Sequence, residues 1–181
     1  MVWTAREIQP GEEITISCEF DSVPKALLTA LLTMADSDVE LTYEERQKTL
    51  LNLWGFKCTC RLCTSPKPVI AASDKRRKLM GELRELTLKK AMDKQYQVAI
   101  QAAEELLTTA EDEGLTAHIG EFWEIPAKLY FNVGDMGRAE KYIRLAIEEI
   151  DRYGTQGELG LQKLSMYNGL LKEILKRRAR Q

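Results

Sequence analysis

Three of the four cysteines in this 181-residue chain fall within six positions, as the run C-x-C-x-x-C at residues 58–63. A thiolate is a soft anionic ligand, and three of them this close in sequence can chelate one zinc ion from a single tight turn. Cys58, Cys60 and Cys63 are therefore the predicted metal ligands. Zinc prefers four ligands, so we expect the fourth from outside this chain or from a makeshift donor such as Cys18. The alternative is a loop of three reduced cysteines.

Composition and charge exclude several classes of function. The chain is 44% hydrophobic and 30% charged, which predicts a folded protein with a buried core. A formal net charge of −2 gives no argument for nucleic-acid binding. The sequence has no apolar stretch of about 20 residues and no secretory signal pattern, so no membrane association is predicted. Metal-type cysteine spacing is typical of a reducing compartment, and we expect the nucleus or cytoplasm.

The N-terminal segment predicts two strands and a helix. Residues 2–8 and 13–18 have strand-type sequences on either side of the turn signal at Pro10. Two strands alone are marginally stable, and no later segment has a clear strand pattern. The pair indicates either the C-terminal part of a larger protein or strands packed directly on helices. Residues 25–34, after Pro24, predict a helix.

A second short helix is predicted from residue 42 to residue 52, just before the cysteines. Thr42 can cap it, and Glu45 three residues later completes a capping box. Gly55 ends the segment. Its apolar face consists of Leu50, Leu51 and Trp54.

From residue 71 to residue 181 the sequence is typical of helices alone. Ser73 or Asp74 is the predicted cap of the first of them. Glycines end several of the later helices. The other predicted helices span residues 96–113, 121–132 and 135–153, and a last one contains Leu161, Leu164, Leu171, Ile174 and Leu175.

Part of this helical region has the spacing of a tetratricopeptide repeat (TPR), a helix-turn-helix unit of about 34 residues. A degenerate earlier copy, 40 residues before, has Ala99 and Ala103 at the positions that Ala139 and Ile143 hold in the later copy. We expect antiparallel helix pairs, whose small residues either line a peptide-binding groove or only permit close packing. The matching positions are Trp123, Ala127, Tyr130, Ala139, Ile143 and Ala146.

In this order, the segments resemble the C-terminal part of a SET-domain protein-lysine methyltransferase of the SMYD-like type. Residues 5–17 are similar to the last SET strands, and residues 54–63, WGFKCTCRLC, are similar to the post-SET segment. TPR-type helices follow that segment in many such proteins. The resemblance implies a mostly α fold with a small β remnant. Its parts are the SET end at residues 1–56, the post-SET segment at 57–70 and the TPR-like array at 71–181.

The resemblance also implies cofactors and site residues. The family transfers a methyl group from S-adenosylmethionine to a lysine of a protein substrate. Its zinc is held by three post-SET cysteines, matching Cys58, Cys60 and Cys63, and by a fourth from an Asn-His-Ser-Cys stretch. The aromatic residue matching Phe56 lies against the adenine ring of the cofactor.

The chain departs from the family pattern in several places. The Asn-His-Ser-Cys stretch and the glycine-containing cofactor loop are absent from the sequence. Cys18 stands where the family has its catalytic tyrosine, and a thiol is shorter and a weaker donor, so no catalytic residue is assigned. The 38 positions from Cys18 to Phe56 exceed the family spacing. Residues of about 18–39 are therefore either foreign sequence, such as a retained intron, or a diverged loop in an inactive paralogue.

Two functions follow from these observations. The first is the C-terminal portion of a SET-type methyltransferase, inactive as this chain alone. The second is a non-catalytic TPR-like module that binds a protein partner. His118 is predicted to be a surface residue. The acidic residues of the helical region are expected to form a solvated face: Glu104, Glu105, Glu111, Asp112, Glu113, Glu121 and Glu124.

Overall fold

The computed structural model describes residues 40–115, 119–153 and 158–180, and within these ranges the protein consists of helices and their connections. No strand occurs in these ranges, and the mostly α fold predicted from the sequence is confirmed there. The helices are α1 Tyr43–Trp54, α2 Lys67–Met92, α3 Tyr96–Asp112, α4 Ile119–Val133, α5 Met136–Tyr153 and α6 Glu158–Arg178.

Several N-terminal predictions lie outside the described residues. They are the strands at residues 2–8 and 13–18, the helix at 25–34 and the candidate insertion at about 18–39. Among the described residues, none of the helices combines the length and the apolarity that crossing a bilayer requires.

Helix α1 begins and ends close to where the sequence predicts, yet it buries none of its side chains. The Glu45 carboxylate accepts a hydrogen bond from the Thr42 backbone N–H at 2.8 Å, which forms the predicted capping box. Gly55 follows with a φ of 71°, a conformation that suits glycine, and its N–H donates to the Leu51 carbonyl. Leu51 and Trp54 each remain 46% exposed. The apolar face of α1 is therefore only half covered.

Helix α2 begins at Lys67, earlier than the predicted cap at Ser73 or Asp74. Proline is tolerated in a first helical turn, whose N–H groups have no helical partner, so Pro66 and Pro68 start the helix instead of delaying it. Ser73 lies inside the span of α2, in its second turn, and its side chain is fully buried. Asp74 caps a different helix, because its Oδ1 accepts the N–H of Tyr43, the first residue of α1, at 2.7 Å.

The helices from α2 to α6 form an array in which each packs against the next. Residues 93–95 join α2 to α3 and residues 134–135 join α4 to α5. Connections this short make the joined helices antiparallel neighbours. Gly134 has a φ of 83°, a left-handed conformation that ends α4 and lets the chain reverse.

The core of this array contains the residues that the TPR spacing singled out. Small side chains at zero exposure let α4 and α5 approach closely, and aromatic and aliphatic side chains fill the space beside them. Trp123 packs against this core without being fully buried. The buried members are Ala99, Ala103, Ala127, Tyr130, Ala139, Ile143 and Ala146.

A buried group of charges joins the C-terminal end of α3 to α2. The Glu113 side chain, 2% exposed, pairs with Arg76 at 2.8 Å and with Arg77 at 3.0 Å. The Ser73 hydroxyl also donates to Glu113. Burial and the charge of Arg46 lower the pKa of Arg77, and the Glu113 carboxylate opposes that shift. The expected solvated acidic face is therefore wrong at Glu113, since this carboxylate is buried and pairs with the buried Arg77 as well as with the exposed Arg76.

Candidate metal centre

The three predicted ligands come together in one turn between α1 and α2. The Sγ atoms of Cys58, Cys60 and Cys63 all lie within 4.8 Å of one another. Zinc–sulfur bonds of about 2.3 Å in a tetrahedron place sulfur atoms about 3.8 Å apart, so a contraction of about 1 Å suffices. The turn is thus able to hold a metal ion, and thiolates favour zinc among the common divalent ions.

The turn reaches this geometry because its second half closes on itself. The Thr64 N–H donates to the Cys60 carbonyl at 3.0 Å, and the Ser65 hydroxyl donates to the Arg61 carbonyl at 2.7 Å. Cys63 is 9% exposed, whereas Cys60 lies at the surface. One ligand is therefore sheltered while its neighbour stays open to solvent.

The proximity of the thiols changes their acidity in opposite directions. Burial, followed by hydrogen bonding to Cys60 and Cys58, raises the pKa of the Cys63 thiol to about 11. Burial also acts against ionisation of Cys60. However, hydrogen bonds from Cys63, Cys58 and the Leu62 N–H outweigh it and lower the pKa of Cys60. Three adjacent thiolates repel one another, and a bound divalent cation offsets that repulsion and deprotonates its thiol ligands.

The side chain of Gln47 in α1 was not identified from the sequence, yet it contacts the first ligand directly. Its Nε2 donates to the Cys58 carbonyl at 2.9 Å, and its Oε1 accepts the Cys58 N–H at 3.0 Å. The sequence carried no signal for this pair, because a glutamine on a charged helix resembles an ordinary surface residue.

Phe56 lies at the start of the same turn, two residues before Cys58. Its side chain is 43% exposed, so the ring has an open face beside the metal turn. Cys18 and His118, the other residues considered as ligands or surface groups, lie outside the described residues.

A second polar arrangement lies in the helical array, around Glu104 of α3. Its Oε1 accepts hydrogen bonds from the hydroxyls of Tyr130 at 2.8 Å and Tyr142 at 3.1 Å. The two rings are stacked, with centroids 5.8 Å apart. Arg138 donates to the Tyr130 hydroxyl at 3.0 Å. Glu104 is therefore a second exception to the solvated acidic face, as a half-buried acceptor that links α3 to α4 and α5.

This arrangement makes the stability of the protein sensitive to high pH. Burial, then the charge and hydrogen bond of Glu104, raise the pKa of Tyr142 to about 12. Tyrosine in an unfolded chain has a pKa of about 10, so Tyr142 keeps its hydroxyl proton up to a higher pH in the native state. The resulting stability is present below about pH 10 and is lost as the pH rises towards about 12. Tyr142→Phe should make the fall in urea midpoint between these pH values shallower.

The control for this prediction is Phe131→Leu, which changes a partly buried aromatic residue of the array that has no ionisable group. We expect it to leave the pH slope as in the wild type. Tyr130 keeps a raised pKa through its own burial and through Glu104, so some slope remains in Tyr142→Phe. A slope equal to that of the wild type in Tyr142→Phe contradicts the assignment.

Comparison with known proteins adds no family to these observations. No protein-family model, curated protein or solved structure matches the chain.

Proposed function

We propose that the chain is the C-terminal portion of a SET-type protein-lysine methyltransferase in which Cys58, Cys60 and Cys63 hold a structural zinc ion. The observation that carries the proposal is the cluster of three sulfur atoms within 4.8 Å of one another. Its place supports the proposal too, since the cluster follows the capped helix α1 and precedes a TPR-like array. This is the order of segments that the family resemblance implies.

In this proposal, zinc is a structural crosslink and takes no part in methyl transfer. Cys58, Cys60 and Cys63 would hold the ion, whose charge would offset that of the thiolates and whose bonds would link the two ends of the turn. The turn then fixes Phe56, whose exposed ring is the proposed contact for the adenine of S-adenosylmethionine. The same proposal assigns residues 5–17 to the last SET strands, as the family resemblance implies.

Catalysis by the 181 residues alone is not expected. Cys18 stands at the position of the family's tyrosine, and the sequence carries no Asn-His-Ser-Cys stretch. A thiol cannot orient a lysine amine as a tyrosine hydroxyl does, because its hydrogen bonds are weaker and its reach is shorter.

The test is metal content and cofactor binding of the purified chain. We expect zinc retained after desalting, no S-adenosylmethionine binding by calorimetry and no methyl transfer to lysine peptides. Absence of zinc after purification and after zinc addition contradicts the metal site. Zinc together with lysine methylation contradicts the proposed inactivity and shows that the chain completes its own site.

A groove in the helical array favours a second candidate, a TPR-like module that binds a protein partner. The groove has a volume of about 230 Å³ and lies among α3, α4 and α5. Glu104 and Glu111 supply two negative charges, Lys141 supplies one positive charge, 5.5 Å from the centre of the Tyr142 ring, and Trp123 and Tyr142 supply aromatic surface, so the lining is net negative. Such a lining suits a basic side chain, whose charge meets the carboxylates and whose aliphatic stem meets the rings.

Tryptophan fluorescence separates this candidate from the first. We expect a lysine-rich peptide to change the emission saturably and a glutamate-rich peptide of equal length to leave it unchanged. The double variant Glu104→Gln and Glu111→Gln should abolish the response while keeping the helical signal. A response that persists in this variant excludes the groove as the binding site.

A further inference from the structure

The two halves of the cysteine turn are held in different ways. Cys60 and Cys63 belong to residues 60–65, which close on themselves through bonds such as that from the Thr64 N–H to the Cys60 carbonyl. Cys58 lies in the irregular segment 56–59 that precedes this closed turn. The local turn therefore fixes two of the sulfur atoms and leaves the third to be placed from elsewhere.

The side chain of Gln47 provides that placement. Its amide makes one hydrogen bond to each backbone group of Cys58, as donor at 2.9 Å and as acceptor at 3.0 Å. The Gln47 amide has both a donor and an acceptor, and these meet the carbonyl and the N–H of Cys58. The two hydrogen bonds together fix both the position and the rotation of the Cys58 backbone. The direction of the Cα–Cβ bond, and hence of Sγ, follows from that backbone.

Gln47 is itself well placed to act as a fixed support. It lies in the second turn of α1, downstream of the Thr42 capping box. The first residue of α1, Tyr43, is in turn fixed to α2 through Asp74. A sequence of specific contacts therefore runs from the helical array, through α1, to the first of the three ligands.

We propose that Gln47 is the positioning residue of the metal site: it holds the Cys58 backbone so that the third sulfur meets the other two around one ion. This inference rests on the proposed zinc site and assigns the residue outside the coordination sphere that shapes it. Loss of such an outer partner typically weakens metal affinity by about 10–100-fold.

The experiment compares three variants of the full chain with the wild type. Gln47→Leu removes both hydrogen bonds at similar size, and Gln47→Glu keeps only the acceptor for the Cys58 N–H. Gln101→Leu makes the same replacement at an exposed position on α3. Zinc affinity is measured by competition with a chelator. Cobalt(II) absorption reports the number of bound thiolates through its charge-transfer band and the coordination geometry through its d–d bands.

We expect Gln47→Leu to lower zinc affinity by about 10–100-fold. We also expect it to alter the cobalt(II) charge-transfer band at saturation, a change that a merely structural role in α1 would not produce. Gln47→Glu should lie between Gln47→Leu and the wild type. Gln101→Leu should match the wild type in both measurements.

The outcomes separate this inference from the zinc site itself. Wild-type affinity and spectra in both Gln47 variants overturn the positioning role while the zinc site stands. A wild-type chain that binds neither metal overturns both. If Gln47→Leu loses its helical circular dichroism, Gln47→Glu decides, and wild-type affinity in that variant overturns the role. Equal weakening by Gln101→Leu also overturns it.

Discussion

Serine in place of Cys60 is expected to remove zinc from the purified chain. A serine hydroxyl keeps its proton at neutral pH and is a hard, neutral ligand, so two thiolates remain from this turn. Structural zinc sites contribute about 10–16 kcal/mol over four ligands, so losing one thiolate should weaken binding by at least ~100-fold. Inductively coupled plasma mass spectrometry of the desalted variant, with chelator competition, measures the change.

Thr59→Ala is the matched control for that prediction. Thr59 lies between two of the ligands and is exposed, so its replacement changes the turn without removing sulfur. We expect wild-type zinc content in this control. A second variant, Cys18→Ser, tests by the same zinc measurement whether Cys18 is the makeshift fourth ligand. Full zinc retention in Cys60→Ser means that Cys60 is not a ligand.

Alanine in place of Glu113 is expected to destabilise the helical array by about 3–5 kcal/mol, the cost typical of breaking a buried ion pair. The reason is that the Glu113 carboxylate, 2% exposed, faces two arginines, one of which is itself buried. Without it, Arg77 stays in the interior and loses its ion pair with Glu113. Urea unfolding followed by circular dichroism measures the loss as a lower midpoint.

Two further variants give this prediction its controls. Asp112→Ala removes an exposed carboxylate next in sequence and should change stability by less than about 0.5 kcal/mol. The double variant Glu113→Ala and Arg77→Met should recover part of the loss, because it also removes the buried charge that the Glu113 carboxylate faced. A double variant as unstable as Glu113→Ala argues that packing, not charge, sets the cost.

Local sequence signals predicted the helices and much of the array core. The capping box of Thr42 and Glu45 and the glycine after α4 act within a few residues, so their chemistry is readable from spacing alone. The TPR offsets predicted Ala139 and Ile143 as core positions, because helical periodicity places them on one face. The cysteine cluster was also predictable from spacing alone, since all three predicted ligands fall within six residues.

Contacts between distant residues were not predictable in this way. Asp74 meets Tyr43 across 31 positions, and Ser73 meets Glu113 across 40. Ser73 and Asp74 are of types that often cap helices, so the sequence predicted a start of α2 that is too late. Gln47 meets Cys58 across 11 positions, and no pattern within α1 indicates which way its amide faces. Tertiary partners, not local preference, decide the role of each of these side chains.

Helix α1 has a consequence for how this protein opens. None of its side chains is fully buried and its apolar face is only half covered, so its separation exposes less apolar surface than opening the core of the array. Local unfolding of such a segment requires less free energy than global unfolding. We therefore expect residues 42–63 to open at a lower free energy than the core of the array. An ion held by Cys58, Cys60 and Cys63 would therefore stabilise residues 42–63 against local opening and leave the array, which has its own core, unchanged.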